Sequence, residues 1–166
     1  MNARNESAMK ILMVDDHVMF LQGMRSLLGV LAPEHQVDVA ADLGVALELT
    51  RLTTYDLLLL DWHLADRDGD DSLARLRDEG CTARIVVLSG EHGRALIERS
   101  VELGAAGFIP KTYSSEMMLA ALTQVLAGRI FLPAEATHGS TPKHAGDDAS
   151  GAAATQARLA GLTPRQ

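Results

Sequence analysis

The chain has 166 residues and is 47% hydrophobic, which suffices for one domain of about 100–150 residues with its own core and leaves a surplus. Its 22 acidic and 15 basic side chains give a net charge of −7, so direct attraction to nucleic-acid backbones or anionic lipid is disfavoured. Cys81 is the only cysteine, which excludes an internal disulfide and leaves no spacing suited to structural zinc. A polar start without an apolar signal core, and no apolar run near 20 residues, add the expectation of a cytoplasmic protein without a membrane span.

Residues 1–9 read as a polar leader. Ile11-Leu12-Met13-Val14 is then an apolar run that stops at the carboxylates Asp15-Asp16, as a buried strand does on reaching a sheet rim. From His17 onward Met19, Phe20, Met24, Leu27, Leu28 and Leu31 recur at helical spacing until Pro33 closes the helix. Gln36-Val37-Asp38-Val39-Ala40 alternates like an edge strand, and Asp42 can cap a helix to about Leu52. Four consecutive leucines, Leu57 to Leu60, form the most apolar strand and deliver Asp61. A charged helix from Asp70 to about Glu79 stops at Gly80. A further strand, 83–88, ends at Ser89, and a helix from about Glu91 to Leu103 stops at Gly104. Gly107-Phe108-Ile109 is a short last strand ending at Pro110-Lys111, and Ser114 caps a final helix through Leu126.

Five strands alternating with five helices imply an α/β fold, a doubly wound five-stranded parallel sheet with right-handed crossovers. In such sheets ligands bind beyond the carboxyl ends of the strands, where strand order reverses. Strands 1, 3, 4 and 5 end in Asp15-Asp16, Asp61, Ser89 and Lys111, whereas strand 2 ends in alanines. The order 2-1-3-4-5 puts the four polar ends around one crevice.

Residues 10–132 make up this domain. Residues 133–157, mostly Ala, Gly, Thr, Ser and charge, read as a flexible linker. In 158–166, Thr163 suits an N-cap, Pro164 the first helical position and Gln166 a capping box. That arrangement predicts a helix, and with it a second domain, starting where the sequence ends.

Three carboxylates at one rim repel each other unless a cation sits among them, and oxygen ligands favour Mg²⁺ or a similar hard ion. Lys111 and Ser89 add a positive charge and a hydroxyl. The set suits phosphoryl chemistry, with Mg²⁺ and Lys111 neutralising the phosphoryl oxygens, Ser89 donating a hydrogen bond and Asp61 as nucleophile. Asp66, Asp68, Asp70 and Asp71 look like a calcium loop, but its twelfth position is Arg77 rather than glutamate. They read as a solvated turn. Trp62, the sole tryptophan, adjoins Asp61 and is expected to report binding there by its fluorescence.

Val14-Asp15-Asp16-His17, Leu60-Asp61 with Asp68-Gly69, Leu88-Ser89 and Gly104-Ala105-Ala106-Gly107-Phe108-Ile109-Pro110-Lys111 occur in that order. Together they resemble the receiver domain of two-component response regulators, in particular the NarL/FixJ subfamily. The resemblance implies the flavodoxin-like receiver fold, Asp61 as phosphoacceptor, and Asp16 and Asp61 as direct Mg²⁺ ligands. Asp15 would act mainly through water, and the His63 backbone carbonyl would complete the protein ligands. Ser89 matches the hydroxyl residue that moves toward the phosphoryl group, Lys111 the lysine of the site, and Phe108 the aromatic switch residue. It further implies a sensor histidine kinase as phosphoryl donor, a phosphorylation-dependent homodimer, and transcription control through a C-terminal DNA-binding domain; Leu162-Thr163-Pro164-Arg165-Gln166 is similar to the opening of a LuxR-type helix-turn-helix.

Three positions depart from that pattern. Leu64-Ala65 stands where many members carry Met-Pro, which predicts a less rigid loop. Phe108 replaces the commoner tyrosine, and Val18 a frequent proline at the start of helix 1. Two other functions fit parts of the pattern. An aspartyl-phosphate hydrolase of the haloacid-dehalogenase type would need a second Asp where His63 stands, and a receiver-like interaction module would work without phosphorylation. On the leading reading the chain is no enzyme beyond its own phosphorylation and dephosphorylation.

Overall fold

A computed structural model of the chain describes residues 8–65 and 67–137. Residues 1–7, Asp66 and 138–166, the last with most of the expected linker and the helix start, lie outside the described residues; the linker expected from 133 instead opens with a helix over Ala134–Thr137. The elements in chain order are β1 (Lys10–Val14), α1 (Val18–Leu31), β2 (Gln36–Ala40), α2 (Leu43–Leu52), β3 (Leu57–Asp61), β4 (His63–Leu64), β5 (Arg67–Asp68), α3 (Gly69–Asp78), β6 (Arg84–Ser89), α4 (Arg94–Glu102), β7 (Gly107–Pro110), α5 (Ser115–Leu126) and α6 (Ala134–Thr137).

The main sheet is parallel and runs β2-β1-β3-β6-β7. This is the expected order 2-1-3-4-5, with β4 and β5 as a separate hairpin. Side chains alternate across a strand, so the four leucines of β3 serve two cores. Leu58 and Leu60 pack with Leu43, Leu47, Leu73, Leu76 and Ile97 on the side of α2, α3 and α4. Leu57 and Leu59 pack with Met24, Leu28, Met118 and Leu122 on the side of α1 and α5. All four leucines are 0% exposed, and burying each contributes about 2 kcal/mol. Asp61 therefore sits at the end of the best-anchored strand in the molecule.

Local chemistry ends the helices where patterning suggested. The Asp42 side chain accepts from the Val45 amide at 2.8 Å, and Ser114 accepts from Met117 at 3.2 Å, both N-caps. Gly104 ends α4 at φ 96°, a conformation that a side chain resists. The start of α4 differs from expectation, at Arg94 rather than Glu91. The Glu91 amide donates to Ser89 Oγ at 3.1 Å, and Gly93 is the N-cap residue, so 90–93 is a loop at the rim.

The packed chain continues past Leu132. Phe131 forms a parallel bridge with Gly107, its carbonyl accepts the Phe108 N–H at 2.9 Å, and α6 follows. Among the described residues no helix is long and apolar enough to cross a membrane.

Candidate functional site

Strand register alone brings the polar ends into one row. Val14 pairs with Leu60, Asp61 with Leu88, and Ser89 with Pro110, so Asp15, Asp61, Ser89 and Lys111 fall at adjacent strand ends. Asp15 is 1% exposed and Asp61 2%. Lys111 Nζ lies 2.6 Å from Asp15 Oδ2 and 3.2 Å from Asp61 Oδ2, and 4.6 Å from the Phe20 ring centroid. The ammonium is thus held between two buried carboxylates and an aromatic face. Neither Asp15 Oδ2 nor Asp61 Oδ2 has a hydrogen-bond partner in good alignment; Lys111 reaches them by charge.

His17 joins this cluster. It is the N-cap residue of α1, and its Nδ1 lies 2.8 Å from Asp15 Oδ1, 3.1 Å from Asp16 Oδ1 and 3.5 Å from Asp61 Oδ2. The hydrogen bond to Asp15 raises the imidazole pKa above its ordinary value, against Lys111 and burial. Asp61 is raised too, first by burial and then by the Asp15 charge, with Lys111 opposing. Its carboxylate form is therefore destabilised where it stands, the condition of a group that gains by acquiring a cation or a modification.

One donor atom from each of Asp15, Asp16, His17 and Asp61 lies within 4.8 Å of the others. Three carboxylates face one lysine, an excess of two negative charges while His17 is neutral, and two buried oxygens lack partners. A hard divalent cation fits this donor set. The cleft above it holds about 570 Å³ and is lined by His17, Phe20, Asp61, His63, Glu91 and Lys111, among others, which leaves room for a small anion beside the cation.

The chain matches the Response regulator receiver domain family over residues 11–123. It belongs to that family. It is 34% identical over 125 residues to a glycerol metabolism activator of Pseudomonas putida, covering 75% of this chain and 57% of that protein. It is 30% identical over 162 residues to the nitrate/nitrite response regulator NarL of Escherichia coli strain K12, covering 98% of this chain and 73% of NarL. The chain thus spans little more than half the first of these relatives and about three quarters of the second. Among solved structures, a two-component response regulator of the LuxR family from Aurantimonas sp. SI85-9A1 superimposes with a TM-score of 0.69 at 30% identity, covering 78% of this chain and 93% of that one.

In this receiver the expected residues do not all lie together. Asp15, Asp16, Asp61 and Lys111 converge. Ser89 is wholly buried at the next strand end, its Oγ accepting from the Glu91 amide. Phe108 is 0% exposed in the core shared with Leu58, Leu60 and Ile97, and its N–H donates to the Phe131 carbonyl. The His63 ring turns outward to Glu91 at 3.6 Å. Trp62, next to Asp61 in sequence, is buried, and a Cβ on Gly69 would lie 2.2 Å from its ring, so only glycine fits there. His17 and Phe20 were not assigned to the site from sequence, although His17 follows the carboxylate pair directly. The segment after Asp61 closes as a hairpin in which Ala65 has φ 47° and donates its N–H to Asp16 Oδ2 at 3.2 Å. No turn signal announces it.

Proposed function

We propose that this receiver is the phosphoacceptor part of a two-component response regulator, with Asp61 taking a phosphoryl group from the phosphohistidine of a sensor histidine kinase. The observation that carries the reading is the pair of buried carboxylates, Asp15 and Asp61, each with an oxygen lacking a hydrogen-bond partner, beside Lys111. An Asp61 carboxylate oxygen attacks phosphorus, the O–P bond forms as the P–N bond breaks, and the kinase imidazole leaves. Asp16, Asp61 and the His63 carbonyl would hold Mg²⁺ directly and Asp15 mainly through water, and the ion would supply positive charge to the phosphoryl oxygens. Lys111 neutralises a further oxygen and Ser89 donates a hydrogen bond to the product. Lys111 opposes the rise in the Asp61 pKa that burial and Asp15 cause.

On this reading Ser89 and Phe108 are the switch residues, and the response is a homodimer or an interdomain release. The output is transcription control through a DNA-binding domain that begins near 158–166, joined to the receiver by a linker that starts after α6 instead of at 133. The protein works in the cytoplasm. The NarL relative is a nitrate/nitrite response regulator by name, which supports the regulatory class and not the signal.

Incubation with a small acyl phosphate and Mg²⁺ is expected to add one phosphoryl mass, removable by hydroxylamine and absent from Asp61→Asn. Equal labelling of the two proteins refutes the assignment. Steady turnover of a generic phosphate ester would point to the hydrolase instead, and an output insensitive to Asp61→Asn to the phosphorylation-independent module.

A further inference from the structure

We propose that Ala65 is a positioning residue for Asp16: its backbone N–H, presented by a tight hairpin, holds the Asp16 carboxylate ready for the divalent cation. The inference rests on the reading of Asp16 as a metal ligand and names the device that orients it.

Of the three carboxylates at the rim, Asp15 and Asp61 are held by burial. The Asp16 side chain is 34% exposed, so packing does not choose its rotamer. Its contacts do. Oδ1 faces His17 Nδ1 at 3.1 Å, and Oδ2 accepts the N–H of Ala65 at 3.2 Å, a residue 49 positions away in sequence. With Oδ2 tethered from outside, Oδ1 faces the His17 nitrogen that also meets Asp15 and Asp61. A small cation with strict octahedral demands gains from a carboxylate that is already turned.

Where Leu64-Ala65 suggested a less rigid loop, the hairpin that presents this N–H is anchored at its base. His63 pairs with Asp68 and Leu64 with Arg67, leaving a two-residue connection, 65–66. Such connections take positive φ at their first residue, and Ala65 has φ 47°. Leu64 is 3% exposed in the core, the Trp62 N–H donates to the Leu88 carbonyl at 2.8 Å, and Arg67 pairs with Asp71 at 2.8 Å. An alanine at positive φ is strained and persists when its surroundings over-determine it. The hairpin also begins at His63, the residue whose carbonyl is the proposed backbone ligand. One hairpin then carries one ligand and aims another, linking the loop after β1 to the loop after β3.

The test is a magnesium titration of the whole chain followed by backbone amide NMR, which reads weak affinity and folding together. Proline cannot adopt φ 47° and has no N–H; glycine adopts it freely and keeps the N–H. Ala65→Pro is expected to weaken magnesium binding about tenfold, with the rest of the spectrum in place, and Ala65→Gly to bind as the wild type does. Magnesium binding by Ala65→Pro at wild-type strength overturns the proposal, and so does an equal loss in Ala65→Gly. If Ala65→Pro loses its dispersed spectrum, hydrogen exchange of the Ala65 amide in the wild type decides: slowed exchange with and without magnesium supports the tether, and exchange at the rate of an unprotected amide overturns it. A wild type whose rim amides ignore magnesium refutes the reading of the site itself, and the inference with it.

Discussion

Asp56 and Asp61 bracket the same leucine strand, and the structure treats them in opposite ways. Asp56 is exposed, and its groups are matched: Oδ2 accepts the Lys10 N–H at 2.8 Å, its N–H donates to the Lys10 carbonyl at 2.9 Å, and its carbonyl accepts from the Arg84 amide at 3.1 Å. Asp61 is 2% exposed, with Oδ2 unmatched and its pKa raised by burial and by Asp15. One carboxylate stitches strands together, and the other is kept out of water with a deficit. Burial of a carboxylate held mainly by charge, with an oxygen short of hydrogen bonds, distinguishes a reactive group from a structural one, since natural folds satisfy buried polar groups wherever no function intervenes.

The sharpest separation is in phosphorylation. Asp56→Asn is expected to take label from an acyl phosphate as the wild type does, and Asp61→Asn to take none, read by intact mass. Label lost from Asp56→Asn, in a protein whose melting shows it folded, would break the comparison.

Stability should move in opposite directions at the two ends. A carboxyl whose folded pKa lies above its ordinary value of 3.8 adds stability below that value, and the contribution is lost as pH rises through the folded pKa. At pH 7 the ionised Asp61 is therefore a cost, and Asp61→Asn is expected to stabilise by about 1–2 kcal/mol. The gain should shrink on acidification toward pH 4, and thermal melting across pH checks the sign. A variant less stable than wild type at pH 7 would show that Lys111 and His17 outweigh burial. Asp56→Ala removes a matched acceptor and is expected to destabilise by about 1 kcal/mol, seen as a lower melting temperature at pH 7. Melting at or above the wild-type temperature would deny that Asp56 is structural.

The contrast also shows what could be read without coordinates. Strands that end at charges, with helices between them, carry the sheet order and hence the convergence of Asp15, Asp61, Ser89 and Lys111, because the parallel register follows from burial. The contacts that tune those groups were hidden. His17 looks like any helix-start residue until its ring is seen against three carboxylates. The hairpin of 63–68 lacks the Asn-Gly or Asp-Gly that marks such turns, and its tie to Asp16 spans 49 positions. Trp62 adjoins Asp61 in sequence, but alternation sends its ring into the core beneath Gly69. Side-chain direction across elements, not element type, was what sequence could not convey.

A third carboxylate tests the rule at its mildest. Asp38, on β2, accepts a hydrogen bond from the hydroxyl of Tyr55 at 2.6 Å, just before β3 begins, so its charge is matched as that of Asp56 is. Burial of the ring, then the hydrogen bond to Asp38, push the Tyr55 pKa up from 10.0 to about 12. A raised folded pKa means that the neutral phenol contributes its full stability below pH 10 and loses it as pH climbs toward 12. Tyr55→Phe is expected to cost under about 1 kcal/mol at pH 7, a typical net hydrogen bond, and to flatten the alkaline limb of the stability profile. Denaturant unfolding of the two proteins at pH 7, 10 and 11 measures both effects. Parallel alkaline limbs would mean that Asp38 does not depend on Tyr55 for its partner, and that matched carboxylates outside the rim are held less tightly than their distances imply.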